Sequence, residues 1–234
     1  MHFTDLLLIG ASVLSTATGS PLAARTSTAS KKCSSYTIID TRGTGEQQGP
    51  SAGFLTMNRN ILSQVPGGVV YNTVYPADYS QNSASGTQDI INKIKTTLSS
   101  NPNECFILEG YSQGAAATVN ALVQLTAAEN TAVKGVFLIG DPLHKAGLSC
   151  NVDSNGGITT RNDNGISEYY GSNSIPSGFV SRSLDVCAPG DGVCTNNGAG
   201  IDEEHLSYPN DANVQNMGTK FVVDQLTGVT YTHQ

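Results

Sequence analysis

The chain of 234 residues is 38% hydrophobic and 13% charged, and its 12 basic and 19 acidic side chains give a formal charge of −7. This balance excludes a disordered chain, because disorder is typical of sequences with high charge and few apolar residues. It also leaves little basic surface to neutralise a phosphate backbone, so we expect no nucleic-acid partner. The length is sufficient for one domain with a substantial core.

The first 32 residues are predicted to lie outside the folded domain. Residues 6–14 form an apolar run that is too short to cross a bilayer and is followed by small residues. This pattern indicates a signal peptide at 1–19 and a secreted protein, rather than a frayed N-terminal strand. We predict a short pro-segment at 20–32, ending in the dibasic pair Lys31 and Lys32. No other stretch is apolar over 18 residues, so we expect no membrane-spanning segment.

The remaining residues, 33–234, are predicted to form a single domain. The predicted strands are Tyr36–Asp40, Val69–Val74, Cys105–Leu108, Val133–Ile139 and Val180–Val186. Apolar side chains at helical spacing predict helices over Phe54–Val65, Ile90–Leu98, Ala115–Leu125 and Val214–Leu226. This alternation indicates an α/β fold, a three-layer α/β/α sandwich with a mainly parallel five-stranded sheet. The Gly-, Asn- and Ser-rich stretch 151–178 is predicted to be a long surface excursion.

A candidate nucleophile follows the third predicted strand. Residues 110–114 read Gly-Tyr-Ser-Gln-Gly, which matches the G-x-S-x-G pattern of a nucleophile elbow and opens an alanine-rich helix. Such a turn holds the serine in a strained conformation with its hydroxyl exposed. It also directs the backbone N–H of Gln113 toward the place where an oxyanion would form. We therefore predict that Ser112 is a nucleophile rather than a helix-capping serine.

A serine nucleophile needs a histidine base, and two of the four histidines are suitably placed. His205 lies in a loop before the last helix, and Asp191 lies in a Cys-x6-Cys loop that leaves its carboxylate free to approach the imidazole. The chain order Ser112, Asp191, His205 is that of α/β-hydrolases. Asp141 and His144 form the alternative pair, although an aspartate before proline is more often a turn residue.

Taken together, these motifs resemble the cutinase family of secreted serine esterases, which also includes acetylxylan esterases. The matching motifs are RGTGE at 42–46, GYSQGAA at 110–116, GDP at 140–142, DVC leading to GDGVC within 185–194, and HLSY at 205–208. The resemblance extends from about Cys33 to Leu226. It implies a small, lidless α/β-hydrolase that cleaves cutin-type polyester or short- and medium-chain esters through an acyl-enzyme.

The resemblance also implies roles for individual residues. Ser112, Asp191 and His205 would form the catalytic triad, and Thr44 and the backbone N–H of Gln113 would form the oxyanion hole. The family pattern implies the disulfides Cys33–Cys105 and Cys187–Cys194. Cys150 would then be the odd cysteine, either buried and inert or open to intermolecular pairing.

Two polar segments bear on the substrate. Residues 196–204 and 78–86 are predicted to border the site, and their polarity argues against a strong preference for long acyl chains. The alternative function is a carbohydrate acetyl esterase, with sugar stacking on tyrosines in the absence of tryptophan. These tyrosines are Tyr75, Tyr79, Tyr169 and Tyr170. A minor alternative is a catalytically silent wall-binding protein of the same fold.

No close cluster of metal-ligand residues occurs in the sequence, so we expect no metal and no other cofactor. We further predict a monomer whose partner is a polymeric or small ester substrate.

Overall fold

A computed structural model describes residues 1–2, 32–167 and 173–231. The predicted signal peptide and pro-segment fall mainly on residues 3–31, outside the described residues, as do Tyr169 and Tyr170. Within the described ranges, no helix has the length and apolar character needed to span a bilayer.

The described residues form one six-stranded sheet in the order β2-β1-β3-β4-β6-β5. Every pair of neighbouring strands is parallel. The strands are β1 (Tyr36–Thr41), β2 (Gly68–Asn72), β3 (Cys105–Tyr111), β4 (Val133–Ile139), β5 (Asn151–Val152) and β6 (Ser183–Val186). All residues of β1 and β3 are buried, as expected for central strands that are covered on both faces.

Helices cover both faces of the sheet. They are α1 (Leu55–Gln64), α2 (Ala84–Ser100), α3 (Gln113–Leu122), α4 (Ala127–Ala132), α5 (Ser177–Val180) and α6 (Ala212–Thr227). On one face, α1 and α6 contribute Met57, Ile61 and Phe221 to a core that includes Tyr36 and Phe137. The opposite face forms a second core.

That second core is built mainly by α2 and α3, which bury Ile90, Ile94 and Val119 against Phe106 and Leu108 of β3. The sequence prediction of a three-layer α/β/α sandwich is therefore confirmed.

Two details of the predicted sheet are wrong. The sheet has six strands rather than five, because the two-residue strand β5 pairs with β6 at the edge. The strand predicted from Val180 begins only at Ser183, because residues 177–180 form the short helix α5. The stretch 151–178 is not wholly a surface excursion: its start is β5, and Thr160 and Ile175 within it are buried.

The parallel arrangement determines where the functional loops meet. The carboxyl ends of β1, β3, β4 and β6 lie at the same edge of the sheet, so the loops that follow them converge there. The disulfide between Cys33 and Cys105 lies near the amino ends of β1 and β3, away from that edge.

Candidate active site

Ser112 lies on a sharp turn between β3 and α3. Its backbone has φ 54° and ψ −119°, a region that non-glycine residues rarely adopt, and its amide donates to the carbonyl of Ile139 at 3.0 Å. A Cβ at Gly114 would lie 2.0 Å from the carbonyl oxygen of Thr41, and one at Gly110 would lie 2.6 Å from Cα of Ala115. Both glycines are therefore required for the close packing of this turn.

The structure brings Ser112, His205 and Asp191 into one hydrogen-bonded row. Nε2 of His205 is 2.9 Å from Oγ of Ser112, and Nδ1 is 3.0 Å from each carboxylate oxygen of Asp191. All three side chains are buried, with 6% of Ser112 exposed to solvent. The arrangement can transfer the serine proton to an imidazole that a carboxylate holds in one orientation.

The Asp191 carboxylate is held by its own loop. Oδ1 accepts hydrogen bonds from the amides of Val193 at 2.7 Å and Cys194 at 3.3 Å, and the disulfide Cys187–Cys194 closes this loop. Burial raises the pKa of Asp191, but the hydrogen bonds from His205, Tyr208 and Val193 outweigh it and hold this pKa below its usual value. Asp191 is therefore an anion that can stabilise a charged imidazole.

Three further side chains, for which the sequence predicts no role, hold this row in place. Asp202 accepts from the amide of His205 through Oδ1 and from the amide of Gly192 through Oδ2, both at 2.8 Å. Tyr111 donates to the carbonyl of His205 at 2.7 Å, and Tyr208 donates to Oδ2 of Asp191 at 2.5 Å. Both tyrosines lie inside the quoted motifs, but a motif position does not reveal the atom that a phenol contacts.

The loop after β1 carries Thr44 and is stabilised by two charged side chains, the partly buried Glu46 and the buried Arg42. Glu46 accepts from the amide of Gly43 at 2.6 Å, the hydroxyl of Ser51 at 2.8 Å and the amide of Ala52 at 2.7 Å. Arg42 is 2% exposed and donates to the carbonyls of Glu46, Thr73 and Tyr75. The backbone of this loop is therefore fixed before any substrate binds.

Thr44 and Gln113 both border Ser112. Thr44 is half-buried and lines the same cleft as Ser112, and its hydroxyl donates to Oε1 of Gln81 at 3.1 Å. Gln113 is the first residue of α3, so its backbone N–H has no acceptor within the helix. Its side-chain amide donates to the carbonyl of Asp78 at 3.2 Å, which links the helix to the 78–86 segment.

A small cleft opens beside Ser112 and His205. Its volume is about 180 Å³, and four of its lining residues are apolar: Ala52, Ile201, Leu206 and Pro209. Ile201 is 47% and Leu206 58% exposed, so both present apolar surface at the mouth. The prediction that residues 196–204 form a polar border is therefore incomplete, because Ile201 gives this segment an apolar contact point.

The alternative pair predicted from the sequence is not assembled as proposed. His144 is fully buried, with Nδ1 2.7 Å from Oδ2 of Asp185 and Nε2 3.2 Å from the carbonyl oxygen of Thr160. Its carboxylate partner is thus Asp185, whereas Asp141 accepts from the amide of Leu143 in a turn. Because both ring nitrogens of His144 are bonded within the core, neither is free to act as the base.

Burial lowers the pKa of His144, but the Asp185 carboxylate and the other hydrogen-bonding partners raise it more, to about 9. Cys150, the odd cysteine, is buried and free, and burial together with Asp185 raises its pKa to about 12. A thiol in that state is unreactive at neutral pH. Among the described residues, no three His, Cys, Asp or Glu side chains are grouped so that they could hold a metal ion.

Comparisons with known proteins agree on one family. The Cutinase family model matches residues 32–226. The chain is similar to a novel cutinase-like protein from Cryptococcus sp., with 62% identity and a TM-score of 0.82 over 86% of this chain and 98% of that one. It is similar to the catalytic core domain of acetyl xylan esterase from Trichoderma reesei, with 25% identity, a TM-score of 0.67, and coverage of 83% and 100%. Carboxylesterase Culp1 of Mycobacterium tuberculosis is 31% identical over 180 residues, 75% of each chain.

Proposed function

This chain belongs to the cutinase family of carboxylic ester hydrolases, and we propose that it cleaves esters through a covalent acyl-enzyme formed on Ser112. The observation that carries the proposal is the 2.9 Å contact between Nε2 of His205 and Oγ of Ser112, continued by Nδ1 to Asp191. A hydroxyl becomes a useful nucleophile only when a base within hydrogen-bond reach removes its proton.

In the first half of the reaction, His205 takes the Ser112 proton while Oγ attacks the ester carbonyl carbon. Asp191 stabilises the imidazolium that forms. The tetrahedral intermediate collapses when His205 returns this proton to the alcohol, which leaves the acyl group on Ser112. In the second half, His205 deprotonates a water molecule that attacks the acyl-enzyme, and the acid is released as Ser112 regains its proton.

The negative charge of each tetrahedral intermediate needs donors that are already in place. We assign this role to the backbone N–H of Gln113, which lies at the start of α3, and to Thr44, which lines the cleft and whose hydroxyl would exchange Gln81 for the oxyanion. Removing one such donor typically costs about 3 kcal/mol of transition-state stabilisation. The fixed backbone around Glu46 and Arg42 supports this role, since little reorganisation is then needed.

The cleft favours short to medium acyl chains. Its volume of about 180 Å³ is below the roughly 300–1,000 Å³ that is typical of sites for drug-sized ligands. Ile201 and Leu206 at the mouth would contact the first methylene groups of the acyl chain, while the remainder of a longer chain would stay in water.

The chain-length profile on p-nitrophenyl acetate, butyrate and palmitate tests this function. We expect hydrolysis of the two shorter esters and labelling of Ser112 by an organophosphate, which mass spectrometry of the peptide would locate. Ser112→Ala and His205→Ala should fold but lose nearly all activity, whereas a folded His144→Ala variant should keep it. An active Ser112→Ala variant, or loss only in the His144→Ala variant, would refute the assignment.

A second candidate function, deacetylation of a polysaccharide, is favoured by a groove next to the site. Neutral polar side chains line this groove, which has a volume of about 510 Å³; they include Gln81, Ser83, Gln88, Asn120 and Gln124. Gln81 also accepts the hydrogen bond from Thr44, so the groove and the cleft share a border. Amides and hydroxyls without charge suit the hydroxyl groups of a neutral glycan.

Tyr79 adds to this second candidate. It is 80% exposed, and its hydroxyl would be 3.0 Å from a Cβ placed on Gly45, so its ring lies beside the Thr44 loop. An exposed aromatic ring can stack on a sugar face. Tyr79→Ala and Asn120→Ala should raise KM for acetylated xylan and leave kcat/KM for p-nitrophenyl acetate within about twofold. Equal effects on both substrates, or none on xylan, would exclude a glycan site.

We also propose that the protein is secreted and monomeric. Two disulfides and the relation to cutinases fit an extracellular protein. Amino-terminal sequencing of the protein from culture medium would test the predicted start near Cys33, and light scattering would test the monomer.

A further inference from the structure

We propose that Tyr208 is a positioning residue for the reaction: its phenol orients the Asp191 carboxylate and limits its basicity. Oη of Tyr208 lies 2.5 Å from Oδ2 of Asp191 and 2.9 Å from the backbone nitrogen of Ala188. This inference rests on the proposed triad of Ser112, Asp191 and His205. It adds a fourth side chain that contacts no substrate and acts through the acid.

The direction of both hydrogen bonds follows from the partners. The amide of Ala188 can only donate, so it occupies a lone pair on the phenol oxygen of Tyr208. The single O–H of the phenol is then left for Asp191, an acceptor on both oxygens. Tyr208 is fully buried, and burial together with the Asp191 charge raises the pKa of its phenol well above the usual value. The phenol therefore keeps its proton throughout the working pH range.

The two carboxylate oxygens of Asp191 have different supports. Both oxygens contact Nδ1 of His205; in addition, Oδ1 accepts from the amides of Val193 and Cys194, whereas Oδ2 accepts from the Tyr208 hydroxyl. Removing the phenol would leave Oδ2 buried without that donor. The carboxylate would then carry more charge on Oδ2 and could rotate about its Cβ–Cγ bond.

Other ionisable groups around this carboxylate come from several segments. His205 and Tyr111 share an aromatic cluster with Tyr208, with ring centroids 6.2 Å and 6.0 Å from it. Asp202 binds the amide of Gly192, and Glu204 lies beside Gly190, where a Cβ would be 3.3 Å from its Cγ. Asp202 accepts from the amides of Gly192 and His205, so within the described part of the chain Tyr208 supplies the hydroxyl that contacts the Asp191 carboxylate.

Tyr208 and the proposed base His205 lie on one segment of the chain. Tyr208 follows His205 by three residues and begins a 3-10 turn, Tyr208–Asn210. The backbone that delivers the imidazole to Asp191 thus also delivers the phenol to Oδ2 of the same carboxylate. Tyr111 holds this segment by donating to the carbonyl of His205 at 2.7 Å.

The test compares Tyr208→Phe with Tyr111→Phe, a matched loss of a buried hydroxyl from the same cluster. Loss of a hydrogen bond to a charged group predicts that Tyr208→Phe lowers kcat by about tenfold to a hundredfold with little change in KM. A more basic Asp191 also favours the protonated imidazole, so the acid limb of the kcat/KM profile should move to higher pH. Tyr111→Phe removes a donor to the carbonyl of His205 and no donor to the carboxylate, so it should leave that limb in place whatever its effect on kcat.

If Tyr208→Phe does not fold, 3,5-difluorotyrosine at position 208 keeps the ring and strengthens the donor. The acid limb should then move to lower pH. An unmoved acid limb in the folded variant, or in the fluorinated protein, would overturn the proposal. Organophosphate labelling of Ser112 in the wild-type protein distinguishes failure of the proposed triad from failure of the role of Tyr208. Absence of labelling refutes the triad itself, whereas normal labelling with an unmoved acid limb refutes only the role of Tyr208.

Discussion

Removing each of the two disulfides in turn should have different consequences. Loss of Cys33–Cys105 should mainly lower the free energy of unfolding, whereas loss of Cys187–Cys194 should mainly lower kcat. The bridges span sequence separations of 72 for Cys33–Cys105 and 7 for Cys187–Cys194. A disulfide stabilises a protein mainly by restricting the unfolded chain, and the effect grows with the logarithm of the loop length. The loop-entropy expression gives about 4.4 kcal/mol for the long loop and about 2.4 kcal/mol for the short one.

The catalytic consequences should be the reverse. Cys105 begins β3 and Ser112 follows the end of the same strand, so the long bridge is about 23 Å from the nucleophile along the sheet. The short bridge encloses Asp191, whose carboxylate accepts from the amides of Val193 and Cys194 within the loop. Losing even one hydrogen bond to this anion corresponds to about 1.5–3 kcal/mol, or about tenfold or more in kcat.

The experiment uses two double variants, Cys33→Ala with Cys105→Ala and Cys187→Ala with Cys194→Ala. Urea unfolding monitored by circular dichroism gives the free energy of unfolding, and p-nitrophenyl butyrate hydrolysis gives kcat. We expect the first variant to lose more stability and keep its kcat, and the second to lose less stability and about tenfold in kcat. If the Cys187→Ala, Cys194→Ala variant kept the wild-type kcat, Asp202 and Tyr208 would hold Asp191 without the disulfide, which would refute the reasoning.

Three further predictions concern single side chains. Because the pKa of His144 is raised to about 9 from 6.5, its charged pair with Asp185 should stabilise the fold by about 3 kcal/mol below pH 6.5 and lose this as pH rises toward 9. In His144→Gln, the unfolding free energy should be flatter over that window. Burial raises the pKa of Asp40 to about 7, so the folded state binds the extra proton and stability should fall as pH rises from about 4 to 7. Asp40→Asn should remove this slope in urea titrations at several pH values. Thr44→Val should lower kcat by about a hundredfold if the hydroxyl contacts the oxyanion, while Thr44→Ser should retain it in the same ester assay.

Sequence periodicity predicts the long helices and central strands of the fold, but it does not predict the short elements α4 and β5. Long apolar stripes predict α2 and α6 because each buries one face over at least four turns. The helix α4 has only six residues, too few for a periodic pattern, although Thr126 and Glu129 form a capping box that marks its start. The strand β5 has two residues and is defined by its pairing with β6, which no local pattern reveals.

The residues of the candidate site could be proposed from the sequence for a different reason. Ser112 lies on a strained turn, and such a turn requires glycines two positions before and after it, which the local sequence shows directly. Asp191 and His205 could be proposed from chain order and from a family resemblance. The sequence alone does not show how close these two residues lie in space. The contacts of Tyr208 and Asp202 depend on the packing of one loop on another, so a single sequence offers no signal for them.

The proposed acid and base, Asp191 and His205, lie on one continuous segment, residues 187–208, while the proposed nucleophile Ser112 directly follows a central strand of the sheet. The segment is tied to itself by the Cys187–Cys194 bridge and by Asp202, which joins the amides of Gly192 and His205. Ile201 directly precedes Asp202 and Leu206 directly follows His205, and both side chains are about half exposed. Their side chains can therefore change without moving Asp191 or His205. We therefore expect substitutions of Ile201 or Leu206 to alter chain-length preference more than the turnover of an acetyl ester, because they leave the contacts between Asp191 and His205 in place.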